Sequence, residues 1–255
     1  MASSSNGVVV DKYKMDHEKR GTALVINIRS YEGDKLKNRD IKSKIDVGNL
    51  KRTLEYLEFD FKLCDNFKAE EIEQEIQRQA SIDHSQSDCF LCVVMSHGND
   101  KDMFYSSDNK EISFEDIMAP IKSCQTLKNK PKLFFFQACR GKFDMRCEPY
   151  NFNPTKARVA KIDYESDSLV YHSTFPDCKS WAKLIDKEPK EGTIFIKCLC
   201  DVLSEAYRML PNNLSLSQMI TKINKSVSDQ KWQLPDPKNT LTKEVFFTPK
   251  NVSVN

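Results

Sequence analysis

A chain of 255 residues, 39% hydrophobic and 30% charged, is long enough to bury a substantial core and has the balance of a globular protein. Its formal net charge of +2 is too small to point to nucleic acid or membrane as a partner, and no apolar run reaches the roughly 18 residues of a membrane span. The N-terminal stretch is apolar only at 8–10 and is not a signal peptide, and Ala2 excludes myristoylation of a second-position glycine.

The first 21 residues are polar. Residues 22–28, "TALVINI", form a continuous branched run and predict a central strand buried on both faces. Val47, Leu50, Leu54 and Leu57 recur at helical spacing and predict an amphipathic helix over 46–58. A short strand at 59–65 and a helix at 69–80 follow, the helix carrying acids in its first turn. Residues 89–95 and 132–138 read as two further buried strands, separated by a Ser-x-x-Asp cap signal at 113–116. From 142 to 167 the pattern lapses into mixed polar sequence with prolines, an exposed linker longer than a routine connection. A strand at 168–174, a mostly apolar helix at 193–210, a Ser-x-x-Gln-capped helix at 215–227 and a last strand at 243–249 complete the reading. Strands alternating with helices predict an α/β fold, a parallel sheet covered on both faces.

Nine cysteines without a secretory signal predict a reducing, cytoplasmic setting with most thiols as core filler, and they give the glycosylation patterns at Asn213 and Asn224 no weight. Cys89 and Cys92 lie three apart in a predicted strand and point to opposite faces, which argues against a metal or redox pair. No metal and no cofactor is expected, and no Gly-rich phosphate loop follows any strand.

In parallel sheets functional groups gather beyond the C-terminal strand ends. Two predicted strands end in such groups, one at His97 and one at Cys139, and their separation of 42 residues accommodates a helix and a loop. A thiol is a strong nucleophile only as thiolate, so an imidazole able to take its proton raises its reactivity. Gly98 and Gly141 permit tight turns and close backbone approach. Amides near Gly98 and Cys139 would be placed to stabilise an oxyanion.

Gln137-Ala138-Cys139-Arg140-Gly141, with Ser96-His97-Gly98 upstream, resembles the signature of the caspase family of cysteine peptidases. The resemblance spans about residues 22–249 and extends to "HSTFPDCKSW" and "FIKCLC". It implies a mainly parallel six-stranded sheet flanked by helices, a three-layer sandwich. It also implies a short prodomain (1–21), a large-subunit region (22–141), a cleavable linker (142–167) and a small-subunit region (168–255), with two units pairing through the final strand.

By the same resemblance Cys139 attacks, His97 handles protons, and the Gly98 and Cys139 amides hold the oxyanion. A backbone carbonyl at Lys37 or Asn38 orients the histidine, while Arg140 is read either as fixing the loop through local carbonyls or acids or as raising the local potential around the thiolate. The aspartate-binding pocket of the family maps onto Arg39 and Gln137, with Trp181 in its usual place. Two positions depart from the family: Ala182 stands where an arginine is expected, and Lys179 where an aromatic is. Lys179 or Lys183 supplies at most a point charge without the planar fork, so a weakened or relaxed aspartate preference is expected.

Asp144 and Asp163 are candidate processing sites, and Asp167 reads as a structural acid at a strand start. The functional expectation is a cytoplasmic, effector-type zymogen acting in apoptosis on protein substrates. Its expected partners are a second copy or another caspase and inhibitor-of-apoptosis proteins. A non-proteolytic, caspase-like regulator is the rival reading.

Overall fold

Two runs of branched and aromatic residues set the middle of the sheet. Thr22–Asn27 (β1) and Phe90–Met95 (β3) are buried at every position, as strands covered on both faces must be. The computed structural model describes residues 11–144, 166–181, 191–209 and 214–250. Around β1 and β3 lie α1 (Asp40–Tyr56), β2 (Asp60–Asp65), α2 (Ala69–Ser81), β4 (Met103–Tyr105), β5 (Glu111–Ser113) and α3 (Phe114–Lys122). They are followed by β6 (Lys132–Gln137), β7 (Ser168–His172), α4 (Ile194–Arg208), α5 (Leu216–Ser228) and β8 (Asp236–Asn239). The six-stranded sheet has the order β2-β1-β3-β6-β7-β8 and is parallel except for β8.

Alternate strand residues feed two cores. Val25, Val93 and Phe135 pack with Leu54 of α1, Phe195 of α4 and Ile223 of α5 on one face. Leu24, Val94 and Phe136 pack with Ile76 of α2 and Ile117 of α3 on the other. This is the expected three-layer sandwich. Cys89 and Cys92 fall into opposite cores, as their spacing requires. Ser113 and Ser215 close capping boxes with Asp116 and Gln218, so both sequence cap signals mark true helix starts.

Two sequence expectations need correction, and one element had no counterpart in the sequence reading. Helix α1 begins at Asp40, not at residue 46. Its first turns bury polar Ser43 and Asp46 rather than apolar side chains, with Ser43 Oγ donating to Asn27 Oδ1 at 2.7 Å, so no hydrophobic period marks them. The β4–β5 hairpin has strands of three residues, too short for a pattern. Residues 243–249 are not a strand of the sheet, whose last member is β8. Val245 and Phe247 alternate inward because an extended segment packs them into the core, while Glu244 exchanges backbone hydrogen bonds with Asp11 and Tyr13 at 2.8 and 2.9 Å. Pairing through the final strand would therefore involve β8, an edge strand that carries Pro237 and so lacks one ladder donor.

Asp167, at φ 67° just before β7, accepts hydrogen bonds from Tyr13 Oη at 2.5 Å and Thr242 Oγ1 at 2.9 Å, a structural tie between distant segments.

Candidate active site

Strands β3 and β6 run side by side in register, Met95 opposite Gln137. One further bond, Ser96 N–H to Gln137 O at 3.2 Å, carries the pairing past the strand ends. Both chains then leave the sheet together. A Cβ on Gly98 would stand 2.3 Å from the Cys139 carbonyl oxygen and 3.0 Å from Ala138 Cβ, so only glycine allows this approach. Gly141 is equally confined: a Cβ there would lie 2.1 Å from the Asp177 carbonyl oxygen. The sequence spacing thus brings His97-Gly98 and Cys139-Arg140-Gly141 to one edge.

His97 is held from both sides. Its amide donates to Tyr31 Oη at 2.9 Å, with the two rings 5.1 Å apart. Its Nε2 lies 2.7 Å from Lys37 O, one of the two carbonyls anticipated from the sequence. A carbonyl only accepts, so Nε2 carries the hydrogen and Nδ1 of the neutral ring keeps its lone pair. Burial lowers the imidazole pKa below the usual 6.5, the Lys37 carbonyl opposes this, and the positive charges of Arg39 and Lys42 lower it further. The ring is neutral at physiological pH and able to accept a proton at Nδ1.

Among the eight described cysteines, seven are buried and Cys139 alone is half-exposed. Burial pushes the thiols of Cys64, Cys89 and Cys200 up to about 12 and those of Cys178 and Cys198 to about 11, so they stay protonated. Cys139 Sγ lies 3.4 Å from the Ser180 amide nitrogen, an N–H placed to stabilise negative charge on sulfur.

The candidate pocket residues meet around the same edge. Gln137 Nε2 donates to Ser180 Oγ at 2.8 Å, while Gln137 Oε1 is buried without a partner among the described residues. Ser180 Oγ is also bonded by Ser173 Oγ at 2.9 Å. Gln233 spans the segment, donating to Ser173 O at 2.8 Å and accepting from the Trp181 amide at 2.6 Å. Arg39, two residues past Lys37, donates from Nη1 to Ile28 O at 2.9 Å, which uses one of its five N–H donors. Lys179 Nζ stands 5.8 Å over the Trp181 ring, which meets Trp232 edge-on at 5.7 Å.

Arg140 is buried and turned away from the edge, donating to Asp102 and to Asp236 at 2.7 Å each. It ties the loop after β3 and the start of β8 to the segment carrying Cys139, the loop-fixing one of the two roles read for it from the sequence. At the head of the 142–167 stretch, Phe143 exchanges backbone bonds with Asp177 and Lys179 at 2.9 Å each. Asp144 follows directly, whereas Asp163, Ala182 and Lys183 lie outside the described residues. Sequence reasoning missed the supporting hydroxyl of Tyr31 and the bridging amide of Gln233, neither of which has a local signature.

Comparisons with known proteins agree with this geometry. The caspase domain model matches residues 20–246. Caspase-6 of Bos taurus is 31% identical over 94% of this chain and 88% of its own length, and caspase-3 of Mesocricetus auratus is 28% identical over 96% and 90%. The crystal structure of caspase-1 from Spodoptera frugiperda superimposes with a TM-score of 0.80 at 28% identity, covering 99% of this chain and 98% of that one. The chain belongs to the caspase family and is a cysteine-type endopeptidase.

Proposed function

We propose that this protease is made as a zymogen and cuts protein substrates after aspartate, with a relaxed preference at that position. Cys139 is the nucleophile and His97 the proton carrier. His97 Nδ1 takes the thiol proton, the thiolate attacks the scissile carbonyl, and the amides of Gly98 and Cys139 receive the oxyanion. The proton passes to the departing amine, leaving a thioester on Cys139. Water attacks that thioester with His97 again taking a proton, and the acid product and free thiol result.

The observation that carries this reading is the pairing of the half-exposed Cys139 with His97 on adjacent strand ends, the ring fixed at Nε2 by Lys37 O. Arg39 and Gln137 supply the aspartate pocket, with Lys179 and Trp181 beside it. Ala182 removes the planar cation that would complete it. Activation is a cut within 142–167, at Asp144 or Asp163, between a large region (22–141) and a small one (168–255), with 1–21 as a short prodomain.

The protein acts in apoptosis in the cytoplasm; among the described residues no helix is long and apolar enough to cross a membrane. It pairs with a second copy or another caspase, and inhibitor-of-apoptosis proteins are candidate partners. Because Pro237 lies in the edge strand, such pairing rests more on side chains than on a continued ladder.

The test is linker-cleaved protein treated with an aspartyl fluoromethyl ketone, followed by mass mapping and a library varied at the residue before the cut. Label on Cys139, lost in Cys139→Ala, together with cleavage after aspartate and at least one other residue, is the expected result. No adduct on Cys139 would sink the nucleophile assignment, and strict aspartate selectivity would sink the relaxed preference.

A further inference from the structure

Asp46 is a fully buried carboxylate on α1. Nothing in the peptidase mechanism uses it. One oxygen, Oδ1, accepts the Thr193 amide at 2.8 Å, immediately before α4, and Oδ2 has no partner among the described residues. The backbone at Gly192 is shaped around it: φ is +82°, and a Cβ there would lie 2.3 Å from Asp46 Oδ1. Burying a carboxylate this deeply is costly unless it is paired and hydrogen-bonded, and here the Thr193 amide is the hydrogen bond that offsets the cost.

What it holds is one end of a relay. The residue after Thr193, Ile194, donates its amide to Trp181 O at 3.2 Å. Ser180, one residue earlier, bonds Gln137 and places its amide against Cys139 Sγ. Asp46 also stands seven residues after Arg39, on the same helix. A single side chain thus ties the helix whose N-cap is Arg39 to the segment that touches the thiol.

We infer that Asp46 is a positioning residue, fixing the Thr193-Ile194 backbone and through it the Ser180-Trp181 segment against Cys139 and Gln137. The inference rests on the proposed role of Cys139. Burial raises the Asp46 carboxyl pKa to about 6 against the lowering pull of the Thr193 amide and of Arg39 and Lys42 on α1, and Cys200 of α4 feels its charge. Ionised Asp46 grips the amide more firmly than the protonated acid does.

The test uses linker-cleaved full chain and three proteins: wild type, Asp46→Ala and Asp46→Asn. Asp46→Ala lowers kcat/KM about ten- to hundredfold, mainly through KM, and slows labelling of Cys139 by the ketone probe to match. Asp46→Asn, which keeps an acceptor for Thr193, stays within about threefold of wild type at neutral pH and loses the rise in KM that wild type shows below pH ~6. If wild type takes no label at Cys139, the nucleophile assignment fails and this inference with it. If wild type is labelled and Asp46→Ala is labelled equally fast, or Asp46→Asn keeps the wild-type pH profile of KM, the inference alone is overturned.

Discussion

The Ser180 amide nitrogen sits 3.4 Å from Cys139 Sγ, and the same residue's hydroxyl receives Gln137 Nε2 at 2.8 Å. One serine on the segment after β7 therefore contacts both the thiol and Gln137, a residue of the proposed pocket. The two contacts are separable, because one is backbone and the other side chain. Ser180→Ala keeps the amide but leaves buried Gln137 Nε2 without that partner, a loss of about 1–3 kcal/mol. The expected outcome is KM raised several-fold for aspartyl peptides, with the rate of probe labelling at saturation nearly unchanged. Steady-state kinetics beside saturation labelling check it.

The His97 environment sets the acid limb of the pH profile. Its pKa is lowered by burial and by the Arg39 and Lys42 charges. A histidine that must be neutral to accept a proton therefore stays competent to a pH below 6.5. Lys42→Gln removes one of the lowering charges, so the acid limb of kcat/KM moves up toward 6.5. High salt has the same direction of effect on wild type, by screening. The stability sign follows from linkage. A folded pKa below the unfolded one means the unfolded state binds more protons in that window, so stability falls as pH drops through it.

Much of this was readable in advance, and the limits are physical. The central strands are buried on both faces, so their apolar runs declare themselves, and the motif residues sit just past the ends of β3 and β6. The start of α1 was hidden because its inward residues, Ser43 and Asp46, are polar and satisfied by distant segments. The supports of the site, Tyr31 beneath His97 and Gln233 beneath Trp181, come from positions remote in sequence and have no motif of their own. The mistaken strand at 243–249 shows that alternation reports burial rather than ladder membership.

Gly98 tests the closeness of the two strand ends. Alanine there would drive a methyl against the Cys139 carbonyl oxygen, a backbone atom that no rotamer change can move. Relief comes only by separating His97 from Cys139. A displacement of this order costs about a hundredfold in rate. Gly98→Ala is expected to keep its far-ultraviolet circular dichroism while losing at least that factor in kcat. A variant with full activity would show that the two ends move apart harmlessly.

Arg140 lies with its guanidinium buried between Asp102, which is 36% exposed, and Asp236, at 18%. Removing the cation takes the guanidinium from two partly covered carboxylates, which in buried settings costs about 3–5 kcal/mol and here falls toward the lower end because water reaches Asp102. Arg140→Met in a Cys139→Ala background, which prevents self-cleavage, is expected to lower the urea midpoint clearly. Asp102→Asn has a smaller effect than Asp236→Asn, since its carboxylate is better solvated. Equal midpoints for Arg140→Met and its parent would remove the tie from the account of the loop.

The proposed aspartate pocket has Ala182 where the family resemblance calls for an arginine, and Ala182→Arg tests that proposal directly. In that proposal Gln137 offers one amide and Arg39 one guanidinium to a substrate carboxylate, while Lys179 is engaged over the Trp181 ring. A second planar cation adds a charge-assisted, bidentate bond worth about 1.5–3 kcal/mol. That corresponds to roughly one to two decades in kcat/KM for aspartyl substrates. Substrates with an uncharged residue at the same position gain nothing and lose a little to desolvation of the new cation. The selectivity ratio, measured with matched peptides before and after Ala182→Arg, is therefore expected to rise by more than tenfold. Ala182→Lys is expected to recover only part of that gain, because an ammonium group delivers charge without the fork.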